Sequence, residues 1–191
     1  MKNKFEYYFW DKALSKSDLI DLHMQVLLHQ DPGWKDQPAS ADGGKATLKN
    51  VSQVKAIEWK YVKDILNPHY DNICQVNTEN YGFSFWPQNN VEICLHNTYD
   101  EKNEASYNWH YDGSPDFSHT YRLTVLINTS LEKYEGGHLE LFANGGVLRV
   151  PELDNSGSIV IFRAEMLHRV TPVTKGTRNS LAFFIKGPKY I

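Results

Sequence analysis

Residues 158–186 read SIVIFRAEMLHRVTPVTKGTRNSLAFFIK and carry the clearest fold signal in the chain. Three short runs within them, 158–162, 168–172 and 180–186, are rich in β-branched and aromatic residues. Glycine, proline and charged residues separate the runs, and no separator has helical periodicity. The pattern therefore predicts three consecutive β-strands.

The same pattern extends back toward residue 81, with further runs at 91–97, 122–128, 138–142 and 147–150. Short strands without helices between them predict an antiparallel sandwich or jelly roll rather than a parallel α/β sheet. Upstream, helical spacing of apolar residues predicts helices at 15–30 and 51–67. We expect a mainly β single domain over 1–191, with a helical support region (1–80) outside a jelly-roll core (81–191).

Composition narrows the class of protein further. The chain has 191 residues, 41% hydrophobic and 23% charged, which suits one globular domain. A net charge of −3 argues against a nucleic-acid partner, because such binding relies on broad phosphate neutralisation. We find no apolar run near the ~18 residues of a membrane span and no secretory signal, so we expect a cytoplasmic protein. The polar loop 34–50 is a candidate lid.

The candidate chemistry lies in three side chains. His110 and Asp112 are two residues apart on a segment that reads as extended, so they project from one face. His168 begins a later predicted strand. Two imidazoles and one carboxylate are the donor set of non-haem Fe(II) oxygenases, which keep coordination positions open. Arg178 follows ten residues later and suits a carboxylate, which its guanidinium binds in two parallel hydrogen bonds.

Five segments, in order, resemble the Fe(II)/2-oxoglutarate-dependent dioxygenases of the prolyl 4-hydroxylase-like branch. They are YNWHYD at 107–112, RLTVLIN at 122–128, EGGHLEL at 135–141, GSIVIF at 157–162 and HRVTPVTKGTR at 168–178. The resemblance implies a double-stranded β-helix, a cupin-like jelly roll that agrees with the strand pattern. The specific motifs of the resemblance lie within residues 107–178. The family's substrate-recognition features are therefore not transferred to the first 80 residues.

The resemblance also implies roles for individual residues. The implied iron ligands are His110, Asp112 and His168, and the implied 2-oxoglutarate contacts are Arg178, Tyr99 and Tyr107. It implies Fe(II), 2-oxoglutarate and O2, with ascorbate as an accessory reductant, and hydroxylation of an unactivated C–H bond in a prolyl or other peptidyl residue. Related halogenases replace the carboxylate ligand by a small residue, so Asp112 favours hydroxylation.

One geometric condition follows from the implied barrel. Strands 168–172 and 177–186 should form an antiparallel hairpin around 173–176, with His168 and Arg178 facing the interior. The inward set on the second strand is then Arg178, Ser180, Ala182 and Phe184. A one-residue slip in register would turn Arg178 outward.

Three alternatives stay open at this level. The substrate can be a free amino acid or small metabolite, because nothing in residues 30–90 reads as a peptide groove. The fold can be a cupin-like module that holds a metal without turnover. A zinc hydrolase also uses two histidines and a carboxylate, but it has no need of Arg178. The sequence does not indicate an oligomeric state.

Overall fold

The computed structural model of the chain describes residues 6–31, 49–112 and 120–188. Within these ranges the two α-helices and the β-strands are, in chain order, β1 (Tyr7–Trp10), α1 (Lys16–His29), β2 (Lys49–Asn50), β3 (Gln53–Glu58), α2 (Lys63–Val76), β4 (Ile93–Asp100), β5 (Ser106–His110), β6 (Thr120–Asn128), β7 (Glu135–Gly136), β8 (Leu139–Ala143), β9 (Gly146–Arg149), β10 (Ile159–Arg163), β11 (His168–Val170), β12 (Val173–Lys175) and β13 (Thr177–Gly187). None of the helices in this part of the chain is long and apolar enough to cross a membrane.

Two antiparallel sheets form the body of the molecule. The larger sheet has the strand order β1-β10-β6-β13-β4-β3, and the smaller has the order β2-β5-β11-β8-β9. A third, two-stranded sheet pairs β12 with β7. The mainly β class with N-terminal helices is therefore confirmed.

Apolar side chains form a core on each face of the larger sheet. Between the two sheets, Leu126, Val160, Phe162 and Ala182 pack against Leu139 and Leu141. On the opposite face, α1 and α2 contribute Leu22, Val26 and Ile73 to a cluster with Leu123, Val125, Ile127, Leu181, Phe183 and Ile185. Alternate residues of one strand thus enter different cores, as the two-residue period of a strand requires.

The first helix begins at a reciprocal cap. Ser15 Oγ accepts a hydrogen bond from the Asp18 backbone N–H at 3.2 Å, and the Ser15 N–H donates to Asp18 Oδ2 at 2.8 Å. This capping box satisfies two backbone donors at the helix start. The helix ends at His29, so the prediction over 15–30 is confirmed.

The prediction of a helix over 51–67 is wrong. Residues 53–58 form β3, which pairs with β4, and the helix α2 lies over Lys63–Val76 with Pro68 inside it. The three-residue spacing of Val54 and Ile57 imitates a helix, but cross-strand pairing with β4 overrides it. Pro68 lies on the exposed side of α2, where solvent can satisfy the carbonyl that loses its N–H partner. Residues 1–80 therefore contribute the strands β1 and β3 to the larger sheet, besides the helices.

The predicted hairpin between the strands at 168–172 and 177–186 is also wrong. β11 pairs with β5 and β8 in the smaller sheet, whereas β13 pairs with β4 and β6 in the larger sheet. Between them β12 pairs with β7, so the chain crosses from one sheet to the other. The predicted inward direction of His168 and Arg178 holds nevertheless, because both side chains line the cavity between the sheets.

The candidate lid at 34–50 lies outside the described residues except for its last two positions, which form β2.

Candidate active site

The two histidines of the predicted triad face each other across a strand pair. His110 is the last residue of β5, His168 is the first of β11, and the two are direct cross-strand partners. Asp112 follows two residues after His110, with its backbone N–H donating to the Ala164 carbonyl at 2.9 Å. One ligand atom from each of His110, Asp112 and His168 lies within 4.8 Å of the others. Asp112 and His168 are 56 positions apart in the sequence. The fold brings both together with His110 in a cluster that could hold a metal ion.

Hydrogen bonds set the tautomer of both imidazoles. His110 Nδ1 lies 2.7 Å from the Asn108 carbonyl oxygen, and His168 Nδ1 lies 2.9 Å from the Met166 carbonyl oxygen. A carbonyl can only accept, so each Nδ1 carries a hydrogen, and in the neutral ring each Nε2 keeps its lone pair. The Nε2 atoms lie toward Asp112, at 3.7 Å from Oδ1 for His110 and 3.4 Å from Oδ2 for His168.

Burial keeps His168 neutral. The side chain is almost inaccessible, and this desolvation lowers the pKa of His168 to about 4, while the hydrogen bond to Met166 acts in the other direction. The edge-on ring of Phe162, with its centroid 4.8 Å away, adds to the apolar surroundings. On the other side of the pair, the Tyr107 ring stacks on His110 at 3.6 Å. The neutral, oriented imidazole of His168 is the form that a divalent cation requires.

Arg178 has the surroundings of an anion-binding residue. Its side chain is 1% exposed, and within the described residues its Nε and Nη1 atoms have no hydrogen-bond partner. Tyr99, opposite Arg178 on β4, places its ring centroid 5.2 Å from the guanidinium carbon. A buried cation with unused donors is costly unless an anion completes it. The two donors therefore indicate a site for a carboxylate.

A glycine makes room for this arginine. A Cβ atom at Gly137 would lie 2.7 Å from Arg178 Cδ and 2.9 Å from Val173 Cγ2, and the residue has a φ of +62°. Both the space and the backbone conformation therefore exclude a larger side chain. The second glycine of the EGGHLEL segment is explained by the position of Arg178.

One cavity between the sheets brings together all six residues predicted from the sequence. Its lining includes Tyr99, Tyr107, His110, Asp112, His168 and Arg178. The remaining lining residues are Leu95, Asn97, Thr124, Leu126, Val170, Ser180, Ala182 and Phe184. All four residues predicted to face inward on the last strand, Arg178, Ser180, Ala182 and Phe184, thus line the cavity.

Sequence reasoning missed Thr124, whose hydroxyl donates a hydrogen bond to Asp112 Oδ2 at 2.7 Å. The available signal was a hydroxyl residue inside the apolar run RLTVLIN, at a position that alternation turns toward the interior. The hydrogen bond satisfies one oxygen of the carboxylate.

Two imidazoles, one carboxylate and a buried arginine lie together in a cavity between the sheets, and this combination defines a class of site. The donor set fits Fe(II), because imidazole and carboxylate ligands on one side leave positions open for other ligands. The arginine fits an acidic co-substrate in the same cavity. The class is that of a non-haem iron oxygenase with a carboxylate-bearing co-substrate.

Comparisons with known proteins agree with this class. The family model of the 2OG-Fe(II) oxygenase superfamily matches residues 94–186, which contain all six predicted site residues. A PKHD-type hydroxylase of Alteromonas mediterranea is 27% identical over 183 residues, covering 92% of this chain and 76% of that protein. A prolyl 4-hydroxylase structure from Pseudomonas putida superposes with a TM-score of 0.66 at 15% identity, covering 97% of this chain and 95% of its own.

A further structure is a prolyl hydroxylase from Trichoplax adhaerens in complex with a peptide fragment of the hypoxia inducible factor oxygen degradation domain. It has a TM-score of 0.66 at 15% identity and covers 96% of this chain and 84% of its own. The chain is thus similar to the 2OG-Fe(II) oxygenase superfamily over residues 94–186, and the comparisons support its prolyl 4-hydroxylase-like branch. It is a 2-oxoglutarate-dependent dioxygenase that uses Fe(II), 2-oxoglutarate and O2, and its double-stranded β-helix fold is confirmed.

Proposed function

We propose that this dioxygenase hydroxylates a prolyl or other peptidyl residue at an unactivated C–H bond, with residues 1–191 acting as one catalytic domain. One observation on a structural neighbour supports a peptide substrate, because the Trichoplax adhaerens prolyl hydroxylase was solved with a peptide fragment. The Alteromonas mediterranea relative, a PKHD-type hydroxylase, supports hydroxylation as the reaction. A cytoplasmic location and a stimulating effect of ascorbate stay predictions.

Within this proposal, His110, Asp112 and His168 hold Fe(II), and Arg178 binds the distal carboxylate of 2-oxoglutarate. Bound Fe(II) supplies the redox chemistry that couples decarboxylation of 2-oxoglutarate to hydroxylation. The observation that carries the assignment is the pair of unused donors on buried Arg178, which faces the same cavity as the triad. A zinc hydrolase would leave this cation without a role.

The two tyrosines border the same volume. Tyr99 faces the guanidinium of Arg178, and Tyr107 lies flat on the His110 ring. Their placement supports the proposal that they confine 2-oxoglutarate between the metal position and the arginine. Apolar Leu126 and Val170 line the same cavity, and such side chains help to exclude water from the reacting centre.

The first experiment measures succinate without any added prime substrate. Anaerobically purified protein receives Fe(II), 2-oxoglutarate and ascorbate, and air is then admitted. We expect slow succinate formation in the wild type and none in Asp112→Ala, because that variant lacks one of three proposed ligands. Asp71→Ala removes an exposed carboxylate of α2 and serves as the matched control, with wild-type output expected.

Wild-type succinate from Asp112→Ala would contradict the proposed ligand set. If succinate depends on Asp112, a panel of prolyl peptides and free amino acids then tests the substrate class. Stimulation of succinate formation by prolyl peptides, with a mass increase of one oxygen in the peptide, is the expected result. Stimulation by free amino acids alone would replace the peptidyl proposal with the small-metabolite alternative.

A further inference from the structure

We infer that Thr124 is a positioning residue for the metal site, acting through the carboxylate of Asp112. The inference rests on the proposed function, in which Asp112 is an iron ligand. In this inference the Thr124 hydroxyl orients the carboxylate of Asp112, which lies outside the strands that contain the two histidines.

The three proposed ligands differ in how their backbone is held. His110 and His168 both lie in strands and pair with each other across β5 and β11. Asp112 lies two residues beyond the end of β5, where its backbone N–H donates to the Ala164 carbonyl. The imidazoles are each oriented by a backbone carbonyl, whereas a carboxylate needs a donor for the same purpose.

Thr124 supplies that donor from a rigid position. It lies in β6, which is flanked by β10 and β13 within the larger sheet, and pairs with Phe162 on one side and Phe184 on the other. The residue is 1% exposed, and its β-branched side chain has few rotamers on a strand. The hydroxyl oxygen Oγ1 is therefore held in a fixed place, 2.7 Å from Asp112 Oδ2, to which the hydroxyl donates.

The hydrogen bond distinguishes the two carboxylate oxygens. Oδ2 accepts from Thr124 and lies 3.4 Å from His168 Nε2, whereas Oδ1 lies 3.7 Å from His110 Nε2. Loss of the hydroxyl would remove this orienting contact from Oδ2, so the carboxylate would be less closely restricted to one orientation. A metal ion would then have to order the ligand while binding it, and affinity would fall.

The test is a titration with Mn(II) alone, followed by the electron paramagnetic resonance signal of the free ion. Mn(II) accepts imidazole and carboxylate ligands, and the absence of 2-oxoglutarate excludes any direct effect on the co-substrate. Thr124→Val keeps the shape and removes the donor, and we expect its dissociation constant to rise about 10- to 100-fold. Thr124→Ser keeps the donor, and we expect it to bind within about threefold of wild type.

Two controls separate the possible outcomes. Thr98→Val removes a hydroxyl that donates to Asn179 Oδ1 at 2.9 Å on strand pair β4–β13, and we expect unchanged Mn(II) affinity. Asp112→Ala tests the proposed ligand itself. If Asp112→Ala loses Mn(II) but Thr124→Val binds as wild type does, the positioning role is refuted and the proposed function stands.

Mn(II) binding by Asp112→Ala with wild-type affinity would instead refute the ligand set of the proposed function. Equal weakening in Thr124→Val and Thr124→Ser would also overturn the inference, since the hydroxyl would then not be the active feature. Thermal unfolding of the metal-free proteins checks that each variant is folded. Should Thr124→Val not fold, Thr124→Ala takes its place with the same expected loss.

Discussion

The two faces of the larger sheet use the same strands for different purposes. On β13, Leu181, Phe183 and Ile185 enter the core beneath the helices, while Arg178, Ser180, Ala182 and Phe184 line the cavity between the sheets. The outer set is wholly apolar, and the inner set mixes charge, hydroxyl and apolar groups. Stability and chemistry are thus assigned to alternate residues of one strand.

The outer face has the character of an ordinary hydrophobic core. Leu181 and Ile185 are 0% exposed and Phe183 is 2% exposed, and the Phe183 ring lies 5.1 Å from that of Trp59. Burial of such side chains is worth about 1.5–3 kcal/mol each. The free energy gained by burial on this face can therefore offset the cost of burying polar groups on the inner face of the same strands.

The inner face contains those unfavourable groups. Arg178 is buried with two unused donors among the described residues, and Thr124 and Ser180 are buried hydroxyl residues. Buried polar groups cost free energy unless they are paired, and a ligand can supply the missing partner. Variants on the outer face should therefore change stability, and variants on the inner face should change ligand binding.

The largest effect is expected on the outer face, from Phe183→Ala. Removing a buried phenylalanine costs about 3–5 kcal/mol, because apolar contacts are lost and a cavity remains. We expect urea unfolding to show this loss, while the affinity for 2-oxoglutarate of the folded, metal-loaded protein stays within about twofold. A large loss of affinity with little change in stability would show that the two faces are not separable in this way.

The next effect is expected on the inner face, from Arg178→Met, which should weaken ligand binding without lowering stability. Methionine fills most of the volume but removes the charge, so the affinity for 2-oxoglutarate should fall by about 2–5 kcal/mol, or roughly 30- to 4,000-fold. The ligand-free variant should unfold at the same temperature as wild type or higher, because a buried charge without a partner is gone. Calorimetric titration of the Mn(II)-loaded protein and a thermal scan measure both quantities. Unchanged affinity would move the carboxylate site away from Arg178.

The division of β13 into inward and outward side chains is predictable from the sequence, because successive residues of a strand point to opposite faces. The inward set from Arg178 to Phe184 follows from the two-residue period of the last strand once one member is placed inside. The triad is predictable because the sequence shows directly that two imidazoles and one carboxylate occur in motifs of the expected order. All six predicted site residues line the cavity, and their individual roles stay proposals.

Long-range pairing was not predictable from local pattern. Val54 and Ile57 have helical spacing, and only the neighbouring strand β4 makes residues 53–58 a strand. The turn at 173–176 suggested a hairpin, but β11 and β13 find their partners in different sheets. The bond from Thr124 to Asp112 joins two segments whose approach depends on the whole fold. In each case the deciding contact is far away in the sequence.

The smallest effect, when it is measured per pH unit, concerns His96, which lies on the outer face of β4 and is 4% exposed. Burial, reinforced by nearby His23 and Lys55, lowers the pKa of His96 to about 3. In the unfolded chain a histidine has a pKa near ~6.5 and takes up a proton first. The contribution of neutral His96 to stability is therefore complete above pH ~6.5 and is lost progressively as the pH falls toward the folded value.

We expect the free energy of unfolding of the wild type to decrease with falling pH across this window, and that of His96→Leu to decrease less steeply. The difference in slope should approach one proton, about 1.4 kcal/mol per pH unit, because leucine does not titrate. Urea unfolding of metal-free protein at several pH values between about 4 and 7 measures both slopes. The variant's absolute stability does not enter, since only the slopes are compared. Equal pH slopes of the unfolding free energy in wild type and His96→Leu would contradict the prediction. They would mean that His96 takes up its proton in the folded protein, and that the packing around it accepts a charge.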